Sequence, residues 1–304
     1  MKILIVNESD INGGAARAAH RLHECLKENE VDSRMLVQNK ASKLEEIIGP
    51  KNKVKKLINL SRPALDLIPR NLYKDTQLIP FSSSIVPFGN VVNEINKYAP
   101  DIVHLHWIAG GMMRIEDLAK IKAPIVWSLH DDWAFTGGCH IKLDCNNYIN
   151  SCGSCKALRS NHSYDLSKYI YKRKNKTYKK INNLTIVGLS NWLARCAQAS
   201  SLLGNSNVVC IPNPINTNVF RPFNKQTCKN YLNLNGNKKL VLFGAMNIKD
   251  ECKGFNYLKD ALKNIDPNNY EIAIAGTSED ASFIKHFRQK VNYLGHLHDD
   301  ISLS

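Results

Sequence analysis

The chain has 304 residues, of which 43% are hydrophobic. This is enough for about two globular domains and argues against a disordered protein. The formal net charge of +14 indicates an anionic partner, such as nucleic acid, acidic lipid headgroups or a phosphorylated substrate, and a lysine-rich solvated surface explains it equally well. No segment approaches the about 20 apolar residues of a transmembrane helix, and the short apolar start is typical of a core strand rather than a signal peptide. We therefore expect a cytoplasmic protein, with peripheral binding to the inner membrane face as a second expectation.

The N-terminal segment has the pattern that begins a phosphate-binding α/β unit. The apolar strand Lys2–Val6 is followed by a polar turn with Gly13 and Gly14, and then by a helical pattern over Arg17–Lys27. Glycines at such a turn let backbone amides approach phosphate oxygens, and a helix N-terminus adds partial positive charge. The three spaced glycines of the dinucleotide motif are missing, and no acidic residue ends the second strand, predicted at 31–39. Both observations argue against a dehydrogenase.

Residues 43–80 form a basic stretch with apolar residues at irregular helical spacing. Prolines at positions 63, 69 and 80 interrupt this stretch, so we predict an excursion of short helices rather than one long helix. These helices would carry many cations, namely Lys51, Lys53, Lys55, Lys56, Arg62 and Arg70.

Strands alternate with helices in the next part of the chain. Helices are predicted over 90–99 and 115–121, and strands over the segments 101–106, 124–130 and 184–188. This alternation predicts a parallel, doubly wound sheet. In such sheets the chemistry collects beyond the carboxyl ends of the strands. His104 and His106 end one strand and His130, Asp131 and Asp132 end the next, so we predict a functional site there.

Four cysteines lie within seventeen residues, whereas the other five are scattered. The spacing ends in a C-x-x-C knuckle that contains Gly153, and thiolates in such a group suit tetrahedral zinc. Unliganded, reduced cysteines in a loop are the alternative. We predict a structural zinc site that braces the loop after His130. Its ligands would be Cys139, Cys145, Cys152 and Cys155. Four thiolates leave no open position on the metal, so a catalytic metal is not expected.

The segment Lys168–Lys180 interleaves tyrosines with cations. A helix there would place Tyr171, Lys174 and Tyr178 on one face. We expect a solvated helix with these tyrosines packed inward. The alternative is a face that rests on anionic lipid, where tyrosines lie at the interface.

A second α/β start follows a rigid, extended segment. Ile211–Ile215 contains two prolines and is typical of a hinge. The strand Lys239–Phe243 then leads through Gly244 and a polar loop to Lys253, which opens a helical pattern over Phe255–Lys263. A lysine at a helix start can reach a diphosphate docked there and stabilise it as a leaving group without a divalent ion.

These patterns define two domains, at residues 1–206 and 217–304, with a hinge at 207–216. Two nucleotide-type domains around a hinge suggest a two-substrate transferase with its site in the cleft.

Several segments together resemble a glycosyltransferase of family 4, which has the two-Rossmann GT-B architecture. The resemblance covers nearly the whole chain in the family's order. It rests on residues 13–17, 130–133 with 136–139, 189–193, 211–216 running to Phe220, and 243–245 followed by 253–255. The subgroup that the chain most resembles serves bacterial exopolysaccharide or lipopolysaccharide assembly, as colanic-acid-type enzymes do.

The resemblance implies a retaining hexosyltransferase that moves a sugar from a nucleotide-sugar donor to a lipid-linked or polysaccharide acceptor, without a catalytic metal. His130, with Asp131, would lie beside the reacting centre. Arg17 and His106 would lie on the acceptor side. The donor diphosphate would be bound by Gly13, Gly14, Gly244 and Lys253. The family often has an arginine where this chain has Ala245-Met246-Asn247, so Lys249 would share that part of the phosphate clamp.

The family's acidic pair, which orients the donor sugar, follows the fourth strand of the donor domain. Here Tyr270–Ala275 is predicted as the second strand and Val291–Leu294 as the third, and the sequence ends at Ser304. We therefore expect an α/β GT-B protein whose second Rossmann-like domain is incomplete, with weak or no activity. Leu240–Phe243 would then form an apolar, unpaired edge that is prone to aggregation.

Two alternatives stay open at this point. A zinc-knuckle nucleic-acid-binding protein would explain the charge and the cysteines, but residues 139–155 contain only Lys142 as a cation, against Asp144. A non-catalytic remnant of a glycosyltransferase would share the ancestry and differ in activity. The sequence does not name the donor sugar, its base, the acceptor, the linkage or the oligomeric state.

Overall fold

The computed structural model describes residues 1–74, 76, 79–87, 89–234, 237–278, 282–297 and 299–304. The chain divides into two compact units, Met1–Pro214 and Ile215–Ser304. The division falls within the predicted hinge segment, 207–216. The first four residues of that segment, Asn207–Cys210, are a strand of the first unit's sheet rather than part of a hinge.

The first unit contains a parallel sheet that, within the described residues, has seven strands in the order β3-β2-β1-β4-β5-β6-β7. This is the doubly wound order that the alternating pattern predicts. The strands are β1 (Lys2–Ser9), β2 (Asp32–Asn39), β3 (Ile47–Ile48), β4 (Ile102–Leu105), β5 (Ile125–Leu129), β6 (Leu184–Gly188) and β7 (Asn207–Cys210).

Apolar residues of β1 are buried on both faces of the sheet, as the continuous apolar run of a central parallel strand requires. Leu4 and Val6 join one core cluster, and Ile3 and Ile5 join the cluster on the other face. The helices of the unit are α1 (Gly14–Glu28), α2 (Lys53–Asn71), α3 (Val91–Tyr98), α4 (Leu166–Tyr178) and α5 (Asn191–Ala199). The segment Ile115–Lys120, predicted as a helix, is a 3₁₀ helix.

The prediction of short helices in the basic stretch is wrong, because α2 runs unbroken for 19 residues with Pro63 and Pro69 inside it. A proline inside a helix removes one backbone hydrogen bond and crowds the preceding turn, which costs about 3 kcal/mol. Here the helix continues because polar side chains from its buried face bind the neighbouring loops. Arg62 alone donates to three backbone carbonyl groups.

Helix α4 has the orientation that the spacing predicts. Tyr171, Lys174 and Tyr178 share one face, and all three are buried, together with Ile170. The tyrosines therefore pack inward, and the alternative in which they rest on a lipid surface is wrong for Tyr171 and Tyr178. None of the helices in the described ranges is long and apolar enough to cross a membrane.

The second unit contains a parallel sheet with the order β10-β9-β8 among the residues that the structure describes. Strand β8 (Lys239–Asn247) lies at an edge, as predicted for its apolar run, and Leu242 is 67% exposed. Aggregation through this edge stays a prediction. The remaining elements are α6 (Lys225–Tyr231), α7 (Phe255–Leu262), β9 (Tyr270–Thr277), β10 (Lys290–Gly295) and α8 (Asp300–Leu303).

Candidate active site

The first sheet has a topological switch point between β1 and β4. From β1 the chain continues to β2 and β3 on one side, and it returns to build β4 to β7 on the other side. The connections beyond the carboxyl ends of two such strands diverge and leave a crevice, which is where open α/β sheets bind ligands. Gly13 and Gly14 follow β1, and His106 follows β4 directly. The sequence-predicted residues therefore lie at this end of the sheet.

Three histidines form a cluster at the ends of β4 and β5. His106 Nδ1 lies 2.8 Å from His130 Nε2, and the two rings stack with centroids 5.1 Å apart. His104 Nε2 lies 2.8 Å from the Ser128 hydroxyl, and its ring centroid is 4.7 Å from that of His106. Because β4 and β5 pair in parallel, residues beyond their ends are brought side by side.

All three imidazoles of the cluster are neutral near pH 7. Burial lowers the pKa of His130 to about 4, although the nearby Asp131 carboxylate raises it. Burial, reinforced by the charge of His130, lowers the pKa of His104 to about 4. Burial also holds the pKa of His106 well below its ordinary value. The cluster can therefore donate and accept hydrogen bonds, but it carries no positive charge at neutral pH.

One unpaired nitrogen of the cluster indicates which ring nitrogens of His106 and His130 carry the protons. His106 Nε2 is buried and has no hydrogen-bond partner among the described residues. A buried N–H without an acceptor costs more than a bare nitrogen without a donor, because orphaned buried donors are the rarer kind. We therefore assign the proton of His106 to Nδ1, which donates to His130 Nε2. His130 then carries its own proton on Nδ1, and this N–H is available to a ligand.

The turn before α1 is open to a ligand. Gly13 has φ +97°, and no atom of the described residues lies within 4 Å of a Cβ added at Gly13 or Gly14. Within the part of the chain that the structure describes, no side chain caps α1, and its first turn contains no acidic residue, so its first N–H groups keep their partial positive charge. Arg17 lies in the first turn of this helix and is partly exposed.

Asp131 lies inside a hydrogen-bond network. Its carboxylate accepts from Trp107 Nε1 at 2.8 Å, from His140 Nδ1 at 2.6 Å and from the backbone N–H of Trp133 at 2.9 Å. Burial would raise the pKa of Asp131, yet His140 and these hydrogen bonds lower it. His140 in turn lies 2.9 Å from the Ser82 hydroxyl. The network holds the loop that follows His130, and the catalytic role of Asp131 stays a prediction.

Two acidic residues near the end of β1, which the sequence pattern did not single out, lie at the ligand-binding end of the sheet. Glu8 is partly exposed beside the switch point, burial raises the pKa of its carboxyl group, and Asn39 donates to it. Asp10 is fully buried and accepts the backbone N–H groups of Ala41 and Ser42. Their positions in the sequence could have marked both acids as site candidates, since they follow the first predicted strand of a parallel sheet, where ligand-binding side chains collect.

In the second unit Lys253 precedes a helix, as the sequence predicts, whereas Gly244 lies inside β8 rather than in the loop after the strand. Gly244 is exposed, and among the described residues no atom lies within 4 Å of a Cβ added there. Lys253 is exposed and ends the 3₁₀ turn Glu251–Lys253, and Gly254, with φ +78°, then leads into α7. A positive φ is readily adopted only by glycine, which accounts for Gly254 between the turn and the helix.

The four clustered cysteines line one small cavity. The backbone N–H of Gly137 donates to Cys152 Sγ at 3.1 Å, and the N–H of Leu158 donates to the Cys155 backbone carbonyl at 3.1 Å. Burial raises the pKa of Cys152 to about 12 and also raises that of Cys155. In the described part of the chain, no three His, Cys, Asp or Glu side chains form an arrangement that could hold a metal ion. The structure thus brings the predicted ligands together without closing them into a metal site.

The fold of the chain is shared with solved glycosyltransferases. HepE of Anabaena, in complex with UDP and glucose, matches with a TM-score of 0.56 at 13% identity, over 99% of this chain and 71% of that one. A glycosyltransferase of Rickettsia africae matches with a TM-score of 0.57 at 14% identity, over 99% and 70%. WaaG, a glycosyltransferase involved in lipopolysaccharide biosynthesis, matches with a TM-score of 0.52 at 10% identity, over 99% and 72%. The fold is therefore the GT-B fold of Rossmann-like glycosyltransferases.

The family follows from the sequence match. Residues 12–219 match the model of Glycosyltransferase Family 4, which is more than half of the chain, so the chain belongs to this family. No curated protein sequence matches it.

Proposed function

We propose that this protein transfers a sugar, with retention of anomeric configuration, from a nucleotide-sugar donor to a lipid-linked or polysaccharide acceptor in cell-surface polysaccharide synthesis. The observation that carries the proposal is the His106–His130 pair at the switch point of a Family 4 sheet, next to the uncapped start of α1. HepE was solved with UDP-glucose, and WaaG is involved in lipopolysaccharide biosynthesis. Both support the donor and acceptor classes.

In the first unit, the Gly13–Gly14 turn receives an anionic group of the substrates. The uncapped backbone N–H groups at the start of α1 would donate to this anion, and the two glycines, which have no side chains, leave room for it to approach the backbone closely. Arg17, one turn into the helix, adds a cation on the acceptor side. His106 takes an indirect part, because its Nδ1–H fixes the orientation of the His130 ring.

His130 has the role of a neutral hydrogen-bond donor at the reacting centre. With Nε2 accepting from His106, its Nδ1–H is directed to a sugar hydroxyl or ring substituent. A fixed donor orients the sugar, and it stabilises the charge distribution of an oxocarbenium-like transition state without solvent reorganisation. Since its pKa is about 4, this donor is unchanged between pH 5 and 8.

In the second unit, Gly244 and Lys253 bind the donor diphosphate. Lys253 lies two residues before α7, whose first N–H groups would attract the same anion as its ammonium group. Together they stabilise the departing nucleoside diphosphate, so the proposed reaction needs no catalytic metal.

The cysteine cluster has a structural role in this proposal. Zinc bound by Cys139, Cys145, Cys152 and Cys155 would brace the loop after His130 once their side chains close on it. The N–H group of Gly137, which donates to Cys152 Sγ, supports a thiolate ligand at that position. Elemental analysis of protein purified without chelators should find zinc, with less of it in Cys152→Ser. An equal zinc content in the variant, or none in the wild type, would reject the site.

A transfer assay tests the reaction. The purified protein is incubated with radiolabelled nucleotide sugars and bacterial lipid extract, and label in the lipid or polysaccharide fraction is counted. His130→Ala should reduce transfer at least about 100-fold, while the exposed His162→Ala serves as the matched control and should retain the rate. Proton NMR of the product should show the anomeric configuration of the donor. Inversion would reject retention, and equal rates for the two variants would reject the role of His130.

Donor binding provides a second readout that does not depend on the acceptor. In saturation-transfer NMR, the protein should bind at least one nucleotide sugar, and Lys253→Ala should weaken that binding. The absence of both donor binding and transfer would contradict the proposed function. Retention on DNA that is abolished by salt and unaffected by nucleotide sugar would instead favour the nucleic-acid-binding alternative.

A further inference from the structure

Helix α2 is attached to the first unit through a polar face. Asn59 donates to the Gln38 carbonyl at 2.7 Å, and Arg62 donates to the Gly111 carbonyl at 2.7 Å. Asp66 is 1% exposed and accepts from the Ser83 hydroxyl. These residues follow the three-to-four-residue spacing of one helix face, so the side of α2 that meets the protein is polar.

The opposite face of α2 is apolar and exposed. Its large apolar residues are between 45% and 71% exposed, although such residues normally face the core. They are Val54, Leu57, Ile58, Leu60, Leu65 and Ile68, and Leu72, which follows the last residue of the helix, is 81% exposed. Most of them recur at spacings of three, four or seven residues and therefore form a single stripe along the helix. This orientation is the reverse of an ordinary surface helix.

An exposed stripe of this size marks an interaction surface. Soluble proteins rarely expose a contiguous apolar patch of more than a few hundred Å², and larger patches are protein or membrane contacts. The 19 residues of α2 make a stripe about 28 Å long at about 1.5 Å per residue. Such a helix is well suited to lie flat in an interface.

The charges around the stripe indicate which partner covers it. Lys51, Lys53 and Lys56 are exposed at the N-terminal end of α2 and its approach. Asp66, the single acidic residue of α2, is buried, so the exposed surface of the helix is cationic as well as apolar. An apolar stripe with lysines beside it complements an anionic lipid surface, where apolar side chains enter the headgroup boundary and lysine stems extend to the phosphates.

We propose that α2 is a membrane-docking helix that binds the first unit to an anionic lipid surface through its exposed apolar stripe. The proposal agrees with a lipid-linked acceptor, but it does not depend on the reaction, since membrane binding is measured without any sugar donor.

Vesicle co-sedimentation of the full chain tests the proposal. The vesicles contain either phosphatidylcholine alone or equal parts of phosphatidylcholine and phosphatidylglycerol. The wild type should bind the anionic vesicles, and Leu57→Ser/Ile68→Ser should lower the partition coefficient at least about tenfold, because each buried leucine or isoleucine contributes strongly to insertion. Lys53→Gln/Lys56→Gln should lower it to a smaller extent and remove most of the salt dependence.

A matched control uses exposed apolar residues elsewhere in the first unit. Leu143→Ser/Tyr169→Ser removes side chains that are 53% and 57% exposed, and it should leave vesicle binding unchanged. Circular dichroism should show the same folded content in all variants. A tryptophan introduced by Leu65→Trp should shift its fluorescence to the blue on anionic vesicles only.

Three results would overturn the proposal. One is equal vesicle binding by the wild type and the Leu57→Ser/Ile68→Ser variant. Another is a concentration-dependent dimer that this variant disrupts, without any vesicle binding, which would identify a second copy as the partner. The last is a wild-type monomer that ignores vesicles, which would assign the stripe to a different protein. In each case sugar transfer is measured separately, so the proposed function is unaffected.

Discussion

Helices α2 and α4 have similar composition and opposite orientation. Both are rich in cations and both carry apolar residues at helical spacing. Helix α4 buries Ile170 and Tyr178, whereas α2 buries Arg62 and Asp66 and exposes Leu57, Leu60 and Leu65. The difference lies in the neighbours. Helix α4 packs over the aromatic loop after His130, while α2 meets backbone carbonyls near Val86 and Gly111. The covered face of a helix is decided by what it packs against.

The buried lysine of α4 gives the largest expected effect. Lys174 is fully buried, donates to the Trp133 and Thr136 carbonyls, and lies 3.6 Å from the centroid of the Trp133 ring. We expect Lys174→Ala to lower the free energy of unfolding by about 4 kcal/mol, because it leaves a cavity and two buried acceptors without a donor. Urea denaturation measures it. The exposed Lys172→Ala should cost less than about 0.5 kcal/mol, and a similar loss in both would contradict the account.

Apolar truncations test the two orientations directly. Ile170 on α4 is fully buried and Leu57 on α2 is 71% exposed. Ile170→Ala should therefore lower the free energy of unfolding by about 3 kcal/mol, and Leu57→Ala should change it by less than about 0.5 kcal/mol. Denaturant unfolding of both variants without lipid provides the comparison. If Leu57→Ala cost as much as Ile170→Ala, the stripe on α2 would be packed rather than exposed.

Truncating a polar residue of α2 should lower the free energy of unfolding more than truncating an exposed apolar residue of the same helix. Arg62 donates to the carbonyls of Gly111, Pro87 and Val86. Arg62→Ala should lower the free energy of unfolding by about 2 kcal/mol, because buried hydrogen bonds from a charged group are lost. Arg62→Lys should recover only part of this loss, because an ammonium does not match the planar fork of a guanidinium. A cost near zero for Arg62→Ala would mean that α2 is held by other contacts.

The histidine cluster gives the smallest effect near neutral pH, and this effect grows as the pH falls. The folded pKa of His104 is about 4, below the ordinary value of 6.5, so the unfolded chain binds the proton first. The free energy of unfolding should thus fall as pH drops below about 6.5, by up to about 1.4 kcal/mol per pH unit for each such histidine. Between pH 6 and 4.5, His104→Gln should reduce the slope of the free energy of unfolding against pH by about 1.4 kcal/mol per pH unit, which is the contribution of one bound proton. An unchanged slope would show that His104 titrates normally.

Much of the first sheet could be predicted from the sequence, and the reasons are local. Strands such as β1 and β5 are apolar runs between turn residues, and His106 and His130 were located because they directly follow such strands. The face of α4 that holds Tyr171, Lys174 and Tyr178 follows from their spacing alone.

The features that the sequence did not predict depend on tertiary contacts. Pro63 and Pro69 were expected to end helices, but the polar anchors of α2 keep it continuous. The spacing of apolar residues in this stretch was too irregular to define a helix face, and it could not show that a polar face would be covered. The Asp131 network depends on His140 and Ser82, and Ser82 is far away in the sequence, so no local pattern indicates it. The roles of Gly13, Gly14, His130 and Lys253 stay predictions.

The most direct measurement for the account as a whole is sugar transfer to an acceptor presented on anionic vesicles. Radiolabelled nucleotide sugar is supplied to the wild type and to His130→Ala, and label in the vesicle fraction is counted. We expect label with the wild type and at least about 100-fold less label with His130→Ala. Equal label with both proteins, or none with any nucleotide sugar, would contradict it.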